Sequence, residues 1–542
     1  MPLVVVIGAS LALSMAIIPL MLHLAPSLGM MDKPQSRKVH SVPVGRVGGF
    51  GIVLGALVPM IAVLPLDALT QSYLLGSLVL FVFGTWDDRK ELHHSVKFVG
   101  QFIAVGLVVL HGGLIVERLP FLDPDPLPKA LGLPFTVFAL IGMINAVNHS
   151  DGLDGLAGGE SILSLAAIAY LALLSDGSEL VFVAAATAGG IFGFLRYNTH
   201  PARVFMGDNG SQFLGFTLGF LVILLTQDVN TALSPAIPAL ILGLPVVDIV
   251  AVLFLRMRKR GSWFRATRNH LHHRLLDVGL SHAATVVVIY LIHASFVVLG
   301  IALRYASDWQ VAAVYIGLIV FVFASLVGAE RAAALPGRPR AVGVLNFVTG
   351  RLRSPSSLLL AGTALEWAVP FFFLAVSIGV RTVPEGFGLT AGVLSVLAIA
   401  ALTASGRIAE VVTRFYVFGA AGLLAFLSTY HAPPFLEAAP YSRYVVFGGL
   451  SVLVVVALKT GELERFRSTP LDYLLGLLVL VIGAIQMNGA SVDLPAWQFV
   501  VAASILLYAS EVVLDGEQFD PRPLTWGTAA SLAITAGWGL LG

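Results

Sequence analysis

Long apolar runs separated by short polar stretches fill this chain from end to end. A helix crosses a bilayer core in about 20 mostly apolar residues. The runs are continuous rather than alternating, so they predict membrane helices and not a membrane barrel. In the first part they fall at Pro2–Leu24, Val47–Leu66, Gln71–Trp86, Val96–Val116, Leu131–Asn145, Ser161–Leu174, Leu180–Leu195, Gln212–Leu225, Ala236–Leu255, Ala283–Leu303 and Val311–Val327, about 11 spans. A basic, proline-containing stretch, Glu330–Ser357, interrupts the pattern. About seven further spans follow, at Leu358–Val380, Leu389–Thr403, Val411–Tyr430, Tyr444–Leu458, Leu471–Met487, Phe499–Val513 and Gly527–Leu541. The expected fold is an all-α polytopic membrane protein. One membrane-embedded domain is expected over 1–328, a linker over 329–357 and an additional multi-helix membrane domain over 358–542, with no internal repeat. Pro2–Leu24 lacks a basic start and is expected to be a first span rather than a cleaved signal.

The basic residues orient this pattern. With the amino terminus outside, the inner loops are 25–46, 87–95, 145–160, 196–211, 256–282 and 328–356. They hold twenty Lys and Arg, against three (Arg118, Lys129 and Arg304) in the outer loops. That asymmetry is a positive-inside signature and supports an odd number of spans before residue 328. The polar, motif-like segments 37–49, 87–92, 145–159, 196–215 and 256–275 all lie on the same inner side. A channel or transporter carries its polar groups near the midplane, in broken helices. Gathering them on one face points instead to an enzyme with a cytoplasmic active site. The competing reading is a membrane transporter or lipid flippase, chiefly for the C-terminal half. Two acids inside apolar runs, Asp248 and Glu366, favour it; such an acid is either functional or paired with a neighbour.

Composition narrows the chemistry. The chain has 542 residues, 57% hydrophobic and 12% charged, with mean hydropathy +0.90, where a soluble protein has about 25% charged residues. A net charge of +1 gives no sign of a nucleic-acid partner. There is no cysteine, which excludes disulfides, thiolate-bound zinc and thiol catalysis.

Four clusters carry candidate chemistry. Asn145-Ala-Val-Asn148-His-Ser-Asp151-Gly-Leu-Asp154-Gly-Leu-Ala-Gly-Gly159 puts amides, carboxylates and four glycines at the end of an apolar run, as for binding an anion. Asp87-Asp88 closes the third span; adjacent like charges repel unless a cation or solvent compensates them, so the pair is either a solvated helix end or part of a cation site. Phe205-Met-Gly-Asp208-Asn-Gly-Ser211 opens the eighth span. There Asp208 is either a helix cap or the holder of a Mg²⁺ that bridges to phosphate, with backbone N–H groups free to approach an anion. His270-Leu-His272-His273-Arg274 lies in the most basic loop, beside Arg265 and Arg268. It reads as an idle loop, a zinc site short of ligands, or donors to a diphosphate or sugar.

Taken in order, these motifs resemble the polyprenyl-phosphate N-acetylhexosamine-1-phosphate transferases, in the branch of the bacterial WecA and TagO enzymes. The matching residues run from Asp32-Lys-Pro, Arg37-Lys38-Val-His40 and Arg46-Val-Gly-Gly49 through Asp87-Asp88 and Asn145 to Ala157. They continue with Asn198, Phe205 to Ser211, Pro245, Asp248 and His270 to Arg274, over roughly residues 1–328. The His-His-His-Phe motif of the related MraY enzymes is absent. The resemblance implies transfer of N-acetylglucosamine-1-phosphate, or a related sugar phosphate, from a UDP-sugar to polyprenyl phosphate. UMP is released, and the product starts a cell-envelope polysaccharide. It implies Mg²⁺ held by Asp208, with Mn²⁺ as the alternative ion. It sets Asn148, Asp151, Asp154, Asn198 and Phe205 around the uridine, with room made by the four glycines. His270, His272, His273 and Arg274 then meet the sugar or its phosphate, Lys38 and Arg46 belong to the substrate site, and Asp87 and Asp88 lie at the lipid phosphate. Asp87 is a general base, a metal ligand or a nucleophile. The implied partners are a UDP-N-acetylhexosamine, a polyprenyl phosphate and the membrane, with a homodimer left open. The implied location is the bacterial inner (plasma) membrane.

Overall fold

The computed structural model describes residues 3–32, 42–122, 126–258, 270–333, 355–380, 382–403, 405–438, 442–460, 494–515 and 519–541. These are almost wholly helical, and twelve of the helices are long and apolar enough to cross a membrane. The protein is an all-α, multi-pass membrane protein. Its described residues divide into two compact units, one within Met1–Asn346 and one within Phe347–Ser468 and Ile482–Gly542.

In the first unit the helices are α1 (Leu3–Leu28), α2 (Gly48–Val63), α3 (Ala68–Lys90), α4 (His94–Gly106), α5 (Lys129–Ser150), α6 (Leu156–Leu173), α7 (Ser178–Asn198), α8 (Asp208–Leu224), α9 (Ile237–Ile241), α10 (Gly243–Arg258), α11 (Leu271–Val278), α12 (His282–Ala302) and α13 (Asp308–Ala333). Each expected span has its helix, with instructive differences. The span expected over Ala236–Leu255 is broken at Leu242 into α9 and α10, beside Gly243 and just before Pro245. The span expected to stop at Asn145 runs on to Ser150. Asn145 is held inside the helix, its amide donating to the Ile141 carbonyl (2.8 Å) and to Gln101 Oε1 of α4 (2.9 Å). Asn145 and Asn148 therefore share one face of a rigid helix instead of opening a loop.

Helix α8 is the centre of this unit. Every residue from Asn209 to Ile223 is buried, against α2, α3, α5 and α6. Beyond its polar first turn, from Phe213 on, its composition is apolar nearly all round, as a helix enclosed by others requires. Close approach needs small residues. A Cβ on Gly84 of α3 would lie 2.4 Å from Asn209 Cα, and one on Gly215 would lie 2.6 Å from Ile144 Cα of α5. Gly84→Ala is therefore expected to push α3 off α8, at a cost of about 1–3 kcal/mol by analogy with overpacked cores. Gly106→Ala, with nothing within 4 Å, is its control. Thermal inactivation of the two variants in detergent makes the check; equal half-lives would refute the close contact.

The second unit has six long described helices, Pro355–Gly379, Glu385–Thr403, Arg407–Tyr430, Ser442–Thr460, Leu494–Asp515 and Arg522–Leu541. They close on a core that includes Leu365, Phe373, Tyr416, Leu424, Leu506 and Leu532. The span expected at Leu471–Met487 lies outside the described residues. Glu366 is paired: its Oε1 accepts the Asp520 N–H at 2.7 Å, ahead of the last helix.

Candidate active site

The chemistry-bearing segments meet at one end of the first unit, where α3, α5 and α7 finish and α8 and α12 begin. The turn into α8 sets the geometry. Gly207 there has φ +78°, which a side chain would strain. A Cβ at Gly207 would also come within 2.5 Å of an Asp88 carboxylate oxygen. That carboxylate accepts the N–H groups of Asp208 (2.9 Å) and Asn209 (3.3 Å). A helix start has N–H groups with no partner inside the helix. The anion that satisfies them at α8 is the protein's own Asp88, carried on another helix. Asp88 is thus fixed on the backbone of α8, where the sequence reading set it at the lipid phosphate.

Beside it, Asp87 and Asp208 converge on a cation that the sequence reading overlooked. Lys97 of α4 places its Nζ 2.6 Å from Asp87 Oδ2 and 2.8 Å from Asp208 Oδ2. The other Asp87 oxygen accepts the Leu92 N–H at 2.6 Å. Asp208 also receives Asn148 Nδ2 (3.2 Å) and Gln212 Nε2 (3.4 Å), and Asn148 reaches Ser211 Oγ at 2.8 Å. Two carboxylates held on one ammonium are near enough for a single cation to engage both. Their donors are hard oxygens, the set Mg²⁺ prefers. The residues present therefore fit that ion.

The turn between α5 and α6 forms an adjoining wall. Asp151 is pushed up to about 7 by burial, with the charges of Asp208 and Asp154 adding to the effect. Burial works against the charge on Asp154, but the His200 hydrogen bond, the His282 ring and the Ala202 N–H outweigh it, and its pKa is lowered. Asn198 is buried and doubly engaged: its Oδ1 accepts the Gly155 N–H and its Nδ2 donates to the Val204 carbonyl, both at 2.8 Å. It braces the turn. Phe205 is tied through its backbone, its N–H donating to the Gly45 carbonyl and its carbonyl accepting the Gly48 N–H. Three of the four glycines of this segment make room for protein groups. A Cβ on Gly152 would strike the His272 ring at 2.3 Å, one on Gly159 would strike Tyr290 at 2.1 Å, and one on Gly158 would press on Leu195.

The histidine cluster packs against the same turn. Asp248 is paired: it accepts from His270 Nδ1 (2.7 Å) and the Leu271 N–H (2.8 Å), so it orients His270 and caps α11. The His270 ring lies 5.6 Å from that of His272 and 6.1 Å from that of His149. Burial, with His273 adjacent (rings 4.2 Å apart), lowers the His272 pKa to about 3, so His272 is a neutral imidazole. Arg274 makes a bidentate pair with Glu330 of α13, at 2.8 and 2.9 Å. Arg46 is paired with Asp32 and lies 3.7 Å from Glu91. Lys38, Arg265 and Arg268 lie outside the described residues. The expected residues therefore separate by present contact. Asp87, Asp208 and Asn148 converge with Lys97. Asp88, Asn198, Arg46 and Arg274 are engaged with other parts of the protein.

Comparisons with known proteins agree on one family. Residues 70–226 match the family described as Glycosyl transferase family 4. A Bacillus subtilis protein described as a probable undecaprenyl-phosphate N-acetylglucosaminyl 1-phosphate transferase is 34% identical over 323 residues, which is 59% of this chain and 90% of that protein. The undecaprenyl-phosphate alpha-N-acetylglucosaminyl 1-phosphate transferase of Haemophilus influenzae is 33% identical over 55% of this chain and 86% of its own length. A decaprenyl-phosphate N-acetylglucosaminephosphotransferase of Mycobacterium tuberculosis is 30% identical over 55% of this chain and 81% of its own.

Proposed function

From the premise that the chain belongs to glycosyl transferase family 4, the polyprenyl-phosphate N-acetylhexosamine-1-phosphate transferases, we propose that it joins N-acetylglucosamine-1-phosphate from UDP-N-acetylglucosamine to undecaprenyl phosphate. An oxygen of the lipid phosphate attacks the sugar-bearing phosphorus of the donor. The bond from that phosphorus to the bridging oxygen of the diphosphate breaks, and UMP leaves. The observation that carries this reading is the convergence of Asp87 and Asp208 on Lys97, with Asn148 donating to Asp208, beside the start of α8. Phosphoryl transfer demands chiefly positioning and charge neutralisation, and this arrangement offers both. Asp208, with Asp87 beside it, would hold Mg²⁺, which when bound supplies neutralising charge to the diphosphate oxygens. Lys97 has three ammonium donors, of which Asp87 and Asp208 take two, and can turn one or more to phosphate oxygen at the same place. The twenty inner-loop cations support an active site on the cytoplasmic face of the inner membrane.

Direct attack by the lipid phosphate is the preferred course. A phosphate monoester has a second pKa of about 6, so much of the acceptor is already a dianion and a general base adds little. Both Asp87 oxygens also accept short hydrogen bonds, which weakens that carboxylate as a nucleophile. The transporter reading loses its motive, since Asp248 and Glu366 are each satisfied by a neighbouring N–H. Purified protein given undecaprenyl phosphate and a panel of UDP-sugars is expected to release UMP only with acceptor and Mg²⁺ present. If labelled UMP exchanges rapidly into UDP-sugar without acceptor, the enzyme forms a covalent intermediate and direct attack is wrong.

A further inference from the structure

Asp154, His200 and His282 come from the α5–α6 turn, the loop after α7 and the first residue of α12. One ligand atom of each lies within 4.8 Å of the others. His200 Nδ1 is 2.7 Å from Asp154 Oδ2, and His282 Nε2 is 3.8 Å from the same oxygen. The two rings stack, with centroids 4.1 Å apart and planes 16° apart. We propose that these three side chains form a second metal site, for a borderline divalent ion such as Zn²⁺, separate from the oxygen-rich Asp87–Asp208 site.

Three physical points support it. The first is lone-pair direction. The Asp154 N–H donates to His282 Nε2 at 3.3 Å, so that nitrogen bears the lone pair and its proton sits on Nδ1. An ion would take the place of this 3.3 Å hydrogen bond and of the proton that His200 Nδ1 shares with Asp154 at 2.7 Å, and draw the carboxylate and both imidazole lone pairs onto itself. The second is reach. Metal–nitrogen bonds of about 2.0–2.1 Å put tetrahedral ligands about 3.3 Å apart, so the 2.7 and 3.8 Å spacings to Asp154 need adjustments of about half an ångström, while the two imidazole nitrogens, within 4.8 Å of each other, close by at most about 1.5 Å. The third is support behind the ligands. The Ala202 N–H donates to Asp154 Oδ2 (3.1 Å), Asn198 holds the Gly155 N–H, and Tyr290 Oη donates to the Gly155 carbonyl (2.6 Å). Such bracing orients ligands and tunes affinity. Asp154 and His282 are mostly enclosed, while the His200 side chain is 32% exposed, which leaves an entry path and an open position for water.

Ligand type sets the ion. Two imidazoles and one carboxylate suit zinc, cobalt or nickel, whereas magnesium favours carboxylate and water oxygen. The two sites therefore select different metals, and an ion here would tie three chain segments together. The inference stands on these contacts and does not depend on the transfer reaction.

The test uses the full-length chain, free of any histidine tag, stripped of metal and equilibrated with Zn²⁺ in excess Mg²⁺. About one zinc per chain should survive gel filtration, and its X-ray absorption spectrum should show imidazole ligands. His200→Gln keeps a hydrogen-bond donor for Asp154 but no matching lone pair, and is expected to bind zinc at least 10–100-fold more weakly. Asp208→Asn is expected to bind it as the parent does. Zinc should also raise the thermal stability of the parent chain under conditions where added Mg²⁺ does not. The proposal is overturned if the parent retains no zinc, if Mg²⁺ displaces it, if the spectrum lacks imidazole, or if His200→Gln binds with unchanged affinity.

Discussion

Asp208→Asn is expected to abolish transfer across the whole of a Mg²⁺ titration, by on the order of 10³-fold or more, as for the loss of a charged group at a phosphoryl or oxyanion site. The replacement is nearly isosteric, and the backbone N–H of residue 208 keeps its bond to Asp88, so α8 should still start where it does. What changes is polarity. Lys97 Nζ, Asn148 Nδ2 and Gln212 Nε2 all point donors at this side chain. An asparagine can accept through one oxygen only, and its own NH₂ would face at least one of those donors. The negative charge that draws a hard cation is lost as well. UMP release by the purified variant makes the measurement. Near-parental turnover, or full recovery at high Mg²⁺, would remove Asp208 from the metal-holding role.

How much of this was legible in the sequence depends on what kind of fact is asked for. Spans were legible because a bilayer imposes length and polarity on every helix, so each apolar run up to residue 328 found its helix. Their ends were less so. Asn145, Asn148 and Ser150 read as loop because they are polar, but α5 continues through them with its amides bonded to Gln101, Ile141 and Ser211. The acids were found by residue type and order along the chain. What type and order do not reveal is direction. In one dimension Asp88 and Asn198 look like free functional groups, and Asp248 and Glu366 are either functional or paired; in three dimensions all four hold backbone N–H groups of other segments. Lys97 was overlooked for a simple reason. It stands one residue inside an apolar run and counts there as part of a span, although a lone cation at a span's inner end is itself a signal. His200 lies in the motif-like segment 196–215 but in none of the candidate clusters, and His282 lies outside all of them; they stand 46 and 128 residues from Asp154, and only the meeting of three segments reveals them.

Lys97→Met follows as the sharpest test of the overlooked residue. Methionine retains an unbranched apolar stem, so packing within α4 should survive. The ammonium, however, is the group that Asp87 Oδ2 and Asp208 Oδ2 approach at 2.6 and 2.8 Å. Without it the two carboxylates repel, by roughly 4 kcal/mol for charges about 4 Å apart at an effective dielectric near 20, until a proton or another cation relieves them. Two outcomes separate two roles. If Lys97 merely stands where Mg²⁺ would bind, its removal should tighten Mg²⁺ binding and leave kcat near the parental value. If the ammonium holds phosphate oxygen during transfer, kcat should fall on the order of 10²–10³-fold and no Mg²⁺ concentration should restore it. The second result is expected, because a divalent ion on Asp208 still leaves the transferring phosphate with charge to be met from the α4 side. Lys97→Arg should recover little. Its planar fork cannot place one compact charge between two carboxylates, so a charge-conserving change that stays inactive would show that position, not charge alone, is what Lys97 provides.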